Sequence, residues 1–282
     1  MSRIILVLPL ALGACLAAAQ DHPQPPSASE QDKIPVHNLP IDPAKLAVAV
    51  RDSYYHPDTL SGLECSVSLD WSGIMHAMKV EDPPPERMKI VEGLKVRTRA
   101  TRDKATEITF NWSGGELPDG KDRIEGGIRQ MVSGFYQMYW PMIASSSVPA
   151  GIAFEKVEPL NDGNMKVYLR QAQSTTEITI DKDHIPTHYS VENPTMKGTL
   201  DPHYTPSPNP VPGDLRRITE LDVSNQIGVS RMSVEVILDY QPVDVFYVPQ
   251  HVTFNLVGAF SIGMDFSGCS ASKRAAGSEI KN

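Results

Sequence analysis

Apolar and polar residues alternate along most of the chain between about residue 151 and residue 267. Alternation places every second side chain on one face, so each run predicts a half-buried β-strand with one apolar and one polar face. Short turn-forming segments such as NDGN separate several of these runs, which favours antiparallel hairpins. The predicted strands cover 152–158, 165–171, 175–181, 186–191, 216–223, 230–240, 247–257 and 260–267.

Helical patterns occur only in the first half of the chain. A helix is predicted directly after Asp42, which can cap it. A second, short helix is predicted from about Pro85, because proline fits a first helical turn. The longest helix is predicted near 123–144, where Asp122 and Glu125 have the spacing of a capping box and an apolar stripe follows.

Three further strands are predicted among these helices. The run GLECSVSLDW alternates from Cys65 to Trp71 and predicts a strand whose apolar residues share one face. The run LKVRTRATRDKATEITFNW predicts a hairpin, with Phe110 and Trp112 on the apolar face of its second strand.

These elements predict an α+β fold: one large curved antiparallel sheet, a half-barrel, with two or three helices covering its apolar face. Such a concave face either encloses a cavity for a lipid-like ligand or is filled by the helices as a packed core, and both alternatives stay open. The side chains predicted to line the cavity are Val67, Leu69, Trp71, Phe110, Trp112, Val236, Leu238 and Phe254.

The first residues predict an export signal. Arg3 provides a positive charge before the apolar run Ile4–Leu12, and small residues follow. Cleavage after the alanines near residue 19 would remove residues 1–19 as a signal peptide. The alternative is a lipoprotein signal ending before Cys15, because Leu12-Gly13-Ala14-Cys15 is similar to a bacterial lipobox and would leave Cys15 as a lipidated N-terminus.

The rest of the chain is predicted to contain one domain. Residues 20–41 are rich in proline and polar residues and predict a disordered linker. Residues 42–272 form the predicted single α+β domain, and residues 273–282 a disordered tail. Within the domain, residues 193–214 contain six prolines and are expected to form a long surface loop.

The last hairpins resemble a known family. In ITELDVSNQ and MSVEVILDYQPVDVFYVPQHVTFNL, a strand ends at Tyr240, Asp244 lies in the turn, and Val248-Pro249 begins the next strand. This order resembles the final strands of the outer-membrane lipoprotein-sorting carriers, the LolA-like half-barrel proteins, and ITIDKDHIPTHYSV resembles an earlier hairpin of that family. The resemblance covers about residues 165–267. It implies an incomplete barrel with helices lining an apolar inner face that carries lipid or acyl chains.

Two segments repeat one order of residues. HIPTHYSVE and YVPQHVTFN both place an apolar residue, a proline, any residue and a histidine at the start of a strand. We therefore expect two hairpins built alike, with His188 and His251 at matching positions. A metal site combining DKDHIPTH with His251 has no defined ligand spacing, so no metal is predicted.

Composition and motifs exclude several functions. The net charge of −8 argues against a general nucleic-acid binder, and the basic group from Lys95 to Lys104 predicts a solvated strand face and hairpin tip. The chain contains no nucleophile elbow, zinc-protease motif, P-loop or dinucleotide fingerprint. We therefore predict no catalytic residues and no cofactor.

Two of the three cysteines remain in the predicted domain. Cys65 begins the first strand and Cys269 ends the last, so a disulfide between them would join the two ends of the domain. Strict alternation from Phe266 would place Cys269 on the polar face of its strand, whereas Cys65 lies on the apolar face of its own strand. Gly268 can correct this, because a glycine in a strand often marks a bulge that shifts the alternation by one. The alternative is two buried free thiols.

These inferences predict an exported bacterial cell-envelope protein that binds or carries a lipid or other hydrophobic ligand. It is expected in the periplasm or anchored to the envelope by lipid, with no other membrane contact. The alternative is a non-enzymatic structural or interaction protein with a filled core and an envelope protein as partner.

Overall fold

The described residues form four α-helices, one π-helical turn and a single twelve-stranded sheet. The computed structural model describes residues 42–77, 84–113, 120–148, 151–160, 162–171, 174–193, 196–206, 215–227, 230–256 and 260–274. The predicted signal at 1–19 with Cys15, the linker at 20–41 and residues 275–282 of the predicted tail lie outside these ranges. The helices are α1 (Pro43–Arg51), α2 (Trp71–Ala77), α3 (Pro85–Glu92) and α4 (Lys121–Met138), and the π-helical turn is Tyr139–Ile143.

Twelve antiparallel strands form one curved open sheet in the order β3-β2-β1-β12-β11-β10-β9-β8-β7-β6-β5-β4. The α+β half-barrel prediction is therefore confirmed. The strands are β1 (Leu60–Leu69), β2 (Leu94–Thr101), β3 (Lys104–Trp112), β4 (Lys156–Pro159), β5 (Met165–Gln171), β6 (Ser174–Ile180), β7 (Pro186–Asn193), β8 (Met196–Thr205), β9 (Arg217–Ile227), β10 (Ser230–Val243), β11 (Phe246–Leu256) and β12 (Phe260–Lys273).

The sheet consists of two meanders joined by one pair of strands. β1 to β3 form a three-stranded meander and β4 to β12 a nine-stranded one, and within each meander consecutive strands are neighbours. The pair β1–β12 connects the two meanders. This pairing is the most distant in sequence, so it carries the largest loop-closure entropy in the sheet.

A disulfide links the two strands of the β1–β12 pair at a β-bulge. The register shifts opposite Cys65, which faces two residues of β12, Gly268 and Cys269. Gly268 has a φ of +55°, a conformation that glycine adopts without strain. The bulge brings Cys269 to the same face as Phe266, and the Sγ atoms of Cys65 and Cys269 lie 2.13 Å apart, with Cα atoms 4.2 Å apart. The predicted bulge and disulfide are confirmed.

The apolar face of the sheet is covered by two helices. α4 packs against β1 to β3 and β9 to β12, where the Phe135 ring lies 5.3 Å from the Phe266 ring and 6.3 Å from the Phe254 ring. α1 covers the other half, where Leu46 and Val50 belong to a second core cluster with residues of β4 to β7. Apolar burial on both halves supplies the main stabilisation of the sheet.

One residue of the basic group, Arg102, is not exposed like the others. Lys95, Arg97, Arg99 and Lys104 are exposed as predicted, but Arg102 is half-buried. Its Nε donates to the Leu60 carbonyl oxygen at 2.7 Å and its Nη2 to the Pro57 carbonyl oxygen at 3.1 Å. Its guanidinium also donates to the Ala144 carbonyl oxygen and the Ser145 Oγ, and burial lowers its pKa. Arg102 therefore ties the end of the π-helical turn to the start of β1.

The loop predicted over 193–214 is wrong for residues 196–205, which form β8. The prolines of this segment suggested a loop, but only Pro202 lies inside the strand. The ladder between β7 and β8 ends at Tyr189 and Leu200, so Pro202 lies where β8 pairs only with β9. A proline is tolerated on such an edge because its missing N–H removes no ladder hydrogen bond.

Two local predictions are also corrected. Trp71 begins α2 and does not continue β1, because α2 packs closely on β12: a Cβ on Gly73 would lie 2.7 Å from the Ser261 carbonyl oxygen. The N-cap of α4 is Gly120 and not Asp122. Asp122 lies in the first turn, where its negative charge interacts favourably with the helix dipole.

The bulge predicts a contrast between two glycines. A Cβ on Gly268 or on Gly126 would meet no atom within 4 Å, so the two substitutions to alanine differ mainly in backbone conformation. Gly268→Ala should destabilise the protein by about 1–2 kcal/mol, since it forces alanine into a left-handed conformation. Gly126→Ala, inside α4, should stabilise it by about 0.5–1 kcal/mol. Urea unfolding measures both, and equal effects of the same sign would contradict the role of the bulge.

The disulfide should stabilise the folded protein substantially. It links residues 204 apart, and in the chain-entropy model a loop of this size contributes about 3–5 kcal/mol. The double variant Cys65→Ala/Cys269→Ala should lose a large part of this free energy of unfolding, with the wild type under reducing conditions as the matched comparison. Unfolding curves that coincide for oxidised and reduced wild type would contradict this expectation.

Candidate functional site

The eight residues predicted to line a ligand cavity lie together in the larger core cluster. Val67, Val236, Leu238 and Phe254 are buried there, and Leu69, Trp71, Phe110 and Trp112 are partly buried against it.

α4 contacts the partly buried members of this set directly. Trp112 Nε1 donates to Glu125 Oε1 at 2.8 Å, and the Arg129 guanidinium lies 4.6 Å from the centre of the Phe110 ring. The apolar face is therefore occupied by side chains of α4.

A polar cavity of about 490 Å³ lies beside this core, at one end of strands β8 to β11. We name it the Arg217 cavity. One member of the predicted set, Leu238, also lines it. The lining residues are Thr205, Arg217, Thr219, Leu238, Asp239, Tyr240, Gln250, His251 and Asp265.

Two β-bulges shape the Arg217 cavity. On β9 the register with β8 shifts at Thr219, and on β11 the register with β10 shifts at Gln250. A bulge inserts one residue, increases the local twist and redirects side chains. Both extra residues line the cavity, so the bulges place their polar side chains there.

The repeated Pro-x-His order corresponds to a repeated bulge. Thr187 on β7 and Gln250 on β11 are the extra residues, and the histidine that follows each one pairs with an aspartate of the next strand. His188 Nδ1 lies 2.5 Å from Asp201 Oδ1, and His251 Nδ1 lies 2.6 Å from Asp265 Oδ1. The predicted equivalence of the two histidines is confirmed.

Arg217 is a buried cation beside two aromatic rings. It is 6% exposed, and its guanidinium carbon lies 5.3 Å from the centre of the Tyr240 ring and 4.4 Å from that of Tyr247. Its buried Nε has no hydrogen-bond partner. Among the described residues, no carboxylate forms an ion pair with it.

The aromatic rings that surround Arg217 are held by their own hydrogen bonds. The Tyr240 hydroxyl donates to the Ile218 carbonyl oxygen at 2.5 Å, and the Tyr247 backbone N–H donates to the Tyr55 hydroxyl at 2.8 Å. The Tyr55 and Tyr247 rings meet edge to face, with centres 6.0 Å apart. The Tyr247 ring, which lies over the guanidinium, is therefore packed against a ring that is itself hydrogen-bonded.

These tyrosines do not neutralise the guanidinium. Burial raises the pKa of Tyr240 and of Tyr55, and this effect outweighs the opposing influence of Arg217. Both hydroxyls are therefore neutral at pH 7. Burial of an unpaired charge costs several kcal/mol. A cation–π contact contributes only about 0.5–2 kcal/mol, so a large part of the cost remains uncompensated.

The His251–Asp265 pair forms another part of the cavity wall. His251 Nδ1 contacts the Asp265 carboxylate, and its Nε2 lies 2.9 Å from the Thr253 hydroxyl. Both ring nitrogens are thus engaged, and the charge of Asp265 is directed toward His251.

Next to the cavity, His203 lies close to two carboxylates. His203 Nε2 is 2.9 Å from Asp222 Oδ2 and 3.9 Å from Glu220 Oε1. The ligand atoms of the three residues all lie within 4.8 Å of one another, so they could supply one nitrogen and two oxygens to a divalent cation. The sequence predicted no metal site.

Sequence reasoning missed Arg217, Thr219 and His203 as site residues. His203 lay in the segment predicted to be a loop. Arg217 lay in a predicted strand with no signal to distinguish it from Arg216. For Thr219, a signal was available in the next residues. Glu220 and Asp222 are two apart, so they share one face of the strand, and their charges mark it as the outer face that begins there.

Comparison with known proteins assigns no family. No protein-family model matches the chain, and no curated protein matches it. One solved structure with partial similarity is that of MucB in complex with MucA(peri), which is 10% identical and aligns over 84% of this chain and 100% of that chain. Its TM-score is 0.17, which is too low to establish a shared fold.

One finding bears on the compartment. The disulfide indicates an oxidising compartment. Among the described helices, none has the length and hydrophobicity needed to cross a membrane.

His203 should show the pH dependence of a paired histidine. The hydrogen bond with Asp222 raises its pKa, and partial burial opposes this effect. Because the folded-state pKa is raised, the pair stabilises the fold fully below the unfolded-state pKa of about 6.5. This contribution is lost as pH rises through the folded-state pKa. NMR titration of the imidazole in metal-free buffer should give a pKa above that of the unfolded protein, and Asp222→Asn should lower it. An unchanged value in the variant would contradict the assigned cause.

Proposed function

We propose that this chain is an exported, non-enzymatic ligand-binding protein of the bacterial cell envelope, and that its ligand occupies the Arg217 cavity. The observation that carries the proposal is the cavity itself, with its buried and unpaired cation. A concave site with a few converging polar groups is the usual form of a small-molecule site.

Export is supported by the N-terminal sequence together with the disulfide. Arg3 and the apolar run after it predict an export signal, and disulfides such as the one between β1 and β12 persist mainly in oxidising compartments. Periplasmic location, or anchoring through a lipid on Cys15, follows from the alternative cleavage sites and is part of the proposal.

The proposal places the ligand in the polar cavity and not under the helices. The LolA-like resemblance implied an acyl chain against the apolar face, but α4 and α1 pack against that face. An acyl chain there would have to displace α4. A ligand in the Arg217 cavity requires no such rearrangement, because the cavity already opens beside the exposed Asp239 and Gln250.

Binding without catalysis is the expectation drawn from the sequence, which contains none of the catalytic motifs named above. An envelope protein partner remains a prediction of the sequence.

Native mass spectrometry of protein purified from cells tests the proposal. We expect a chain that lacks residues 1–19, or that begins at a lipidated Cys15, and a non-covalently bound small molecule released on unfolding. Thr219→Phe should fill the Arg217 cavity and abolish this ligand.

Thr187→Phe is the matched control, since Thr187 is also the extra residue of a bulge but lies outside the cavity. It should keep the ligand. Equal retention by both variants, or a chain that still carries Met1, would contradict the proposal.

A further inference from the structure

The unpaired state of Arg217 indicates the chemical class of the ligand. Its side chain is 6% exposed, its Nε is buried without a hydrogen-bond partner, and no described carboxylate pairs with it. The neighbouring groups that could have neutralised it do not. Asp265 pairs with His251, and burial keeps the Tyr240 and Tyr55 hydroxyls protonated.

The lining of the cavity also includes residues with hydrogen-bond donors. Thr205 and Thr219 contribute hydroxyls and Gln250 contributes an amide, and all three line the same cavity as Arg217. A guanidinium presents a planar fork of N–H donors that matches the two oxygens of a carboxylate or phosphate. An oxyanion in the cavity would give the guanidinium the charged partner that it lacks among the described residues.

The aromatic rings hold the fork in position. Tyr240 and Tyr247 contact the guanidinium; the Tyr240 hydroxyl donates to a backbone carbonyl oxygen, and the Tyr247 ring packs edge to face against Tyr55. The side chain is therefore positioned before any ligand arrives, which lowers the entropy cost of binding.

We propose that the ligand carries a carboxylate or phosphate group and that Arg217 binds this group through its guanidinium. This inference rests on the proposed function and specifies its ligand class. The exposed Asp239 lies in the same wall, so the part of the ligand near the opening is neutral or cationic and not a second anion.

The side-chain Nε–Hε resonance of Arg217 provides a direct test. Titration with inorganic phosphate or acetate, against sodium chloride at equal ionic strength, should shift this resonance, because the guanidinium gains an anionic partner. Arg217→Gln should weaken oxyanion binding roughly 10- to 100-fold, the range expected for hydrogen bonds to charged groups.

Arg216→Gln is the matched control. Arg216 is exposed, does not line the cavity and carries the same charge, so its variant should bind like the wild type. Equal weakening in both variants would show a general charge effect and overturn the inference. So would the absence of any oxyanion-dependent shift in the wild type.

Folding of the Arg217 variant is checked by thermal unfolding without ligand. Removal of an unpaired buried charge should leave the unfolding midpoint unchanged or raise it. A lower midpoint would mean that Arg217 stabilises the ligand-free protein, and this result would also overturn the inference.

Vesicles distinguish the source of the anionic group. Sedimentation with phosphatidylglycerol vesicles, but not with phosphatidylcholine vesicles, that is lost in Arg217→Gln identifies a lipid headgroup. Binding of soluble phosphate or acetate without vesicle binding identifies a free anion. If native mass spectrometry finds a cavity ligand that has no anionic group, the proposed function stands and this inference fails.

Discussion

The pairing of β1 with β12 is the constraint on which the rest of the structure depends. Two meanders, one of three strands and one of nine, meet only at this pair. Without it, the residues of β1 to β3 that pack under α4 would have no sheet beside them, and α4 would lose part of its core. Because the pair closes a very long loop, its formation carries a large entropy cost, which the Cys65–Cys269 disulfide offsets by constraining the unfolded chain. The bulge at Gly268 makes that bond geometrically compatible with the alternation of β12.

Alternation and turn residues were sufficient to predict the sheet because each hairpin is local in sequence. β5 occupies the predicted 165–171, and the other predicted strands of the second half overlap β4, β6, β7 and β9 to β12. β8 was missed because the prolines of its segment suggested a loop. Pro202 is tolerated because β8 has no β7 partner beyond Leu200. That information is tertiary and cannot be read from the segment itself. The disulfide could be predicted because its signal is local. The glycine beside Cys269 indicates a bulge, which shifts the alternation of side chains along β12 by one residue.

The candidate site was much less predictable than the fold. Arg216 and Arg217 are adjacent and chemically identical, and their different environments depend on contacts from distant segments. The Tyr55 backbone N–H donates a hydrogen bond to the Arg216 carbonyl oxygen at 2.8 Å, and the Tyr247 ring lies over the Arg217 guanidinium. The apolar residues predicted to bind a ligand do cluster, and they share that cluster with residues of α4, a contact that sequence alone could not place. A stripe of apolar residues on a helix is the same pattern whether the helix seals a core or borders a cavity.

The position of the Arg217 cavity in the sheet can be related to the stability of the structure around it. Bulges weaken local pairing, and a buried unpaired charge opposes folding, so both are tolerated only where neighbouring structure is strong. The Arg217 cavity lies in the interior of the nine-stranded meander, beside long strands such as β10 and β11, and next to the core that α4 completes. Thr219 and Gln250 each have a paired strand on one side, β8 and β10 respectively, whereas the β9–β10 ladder stops at Glu220 and the β11–β12 ladder stops at His251. Local rules of strand pairing and charge neutralisation are broken together at one place, and in a folded protein such coincidence is expected at a functional site.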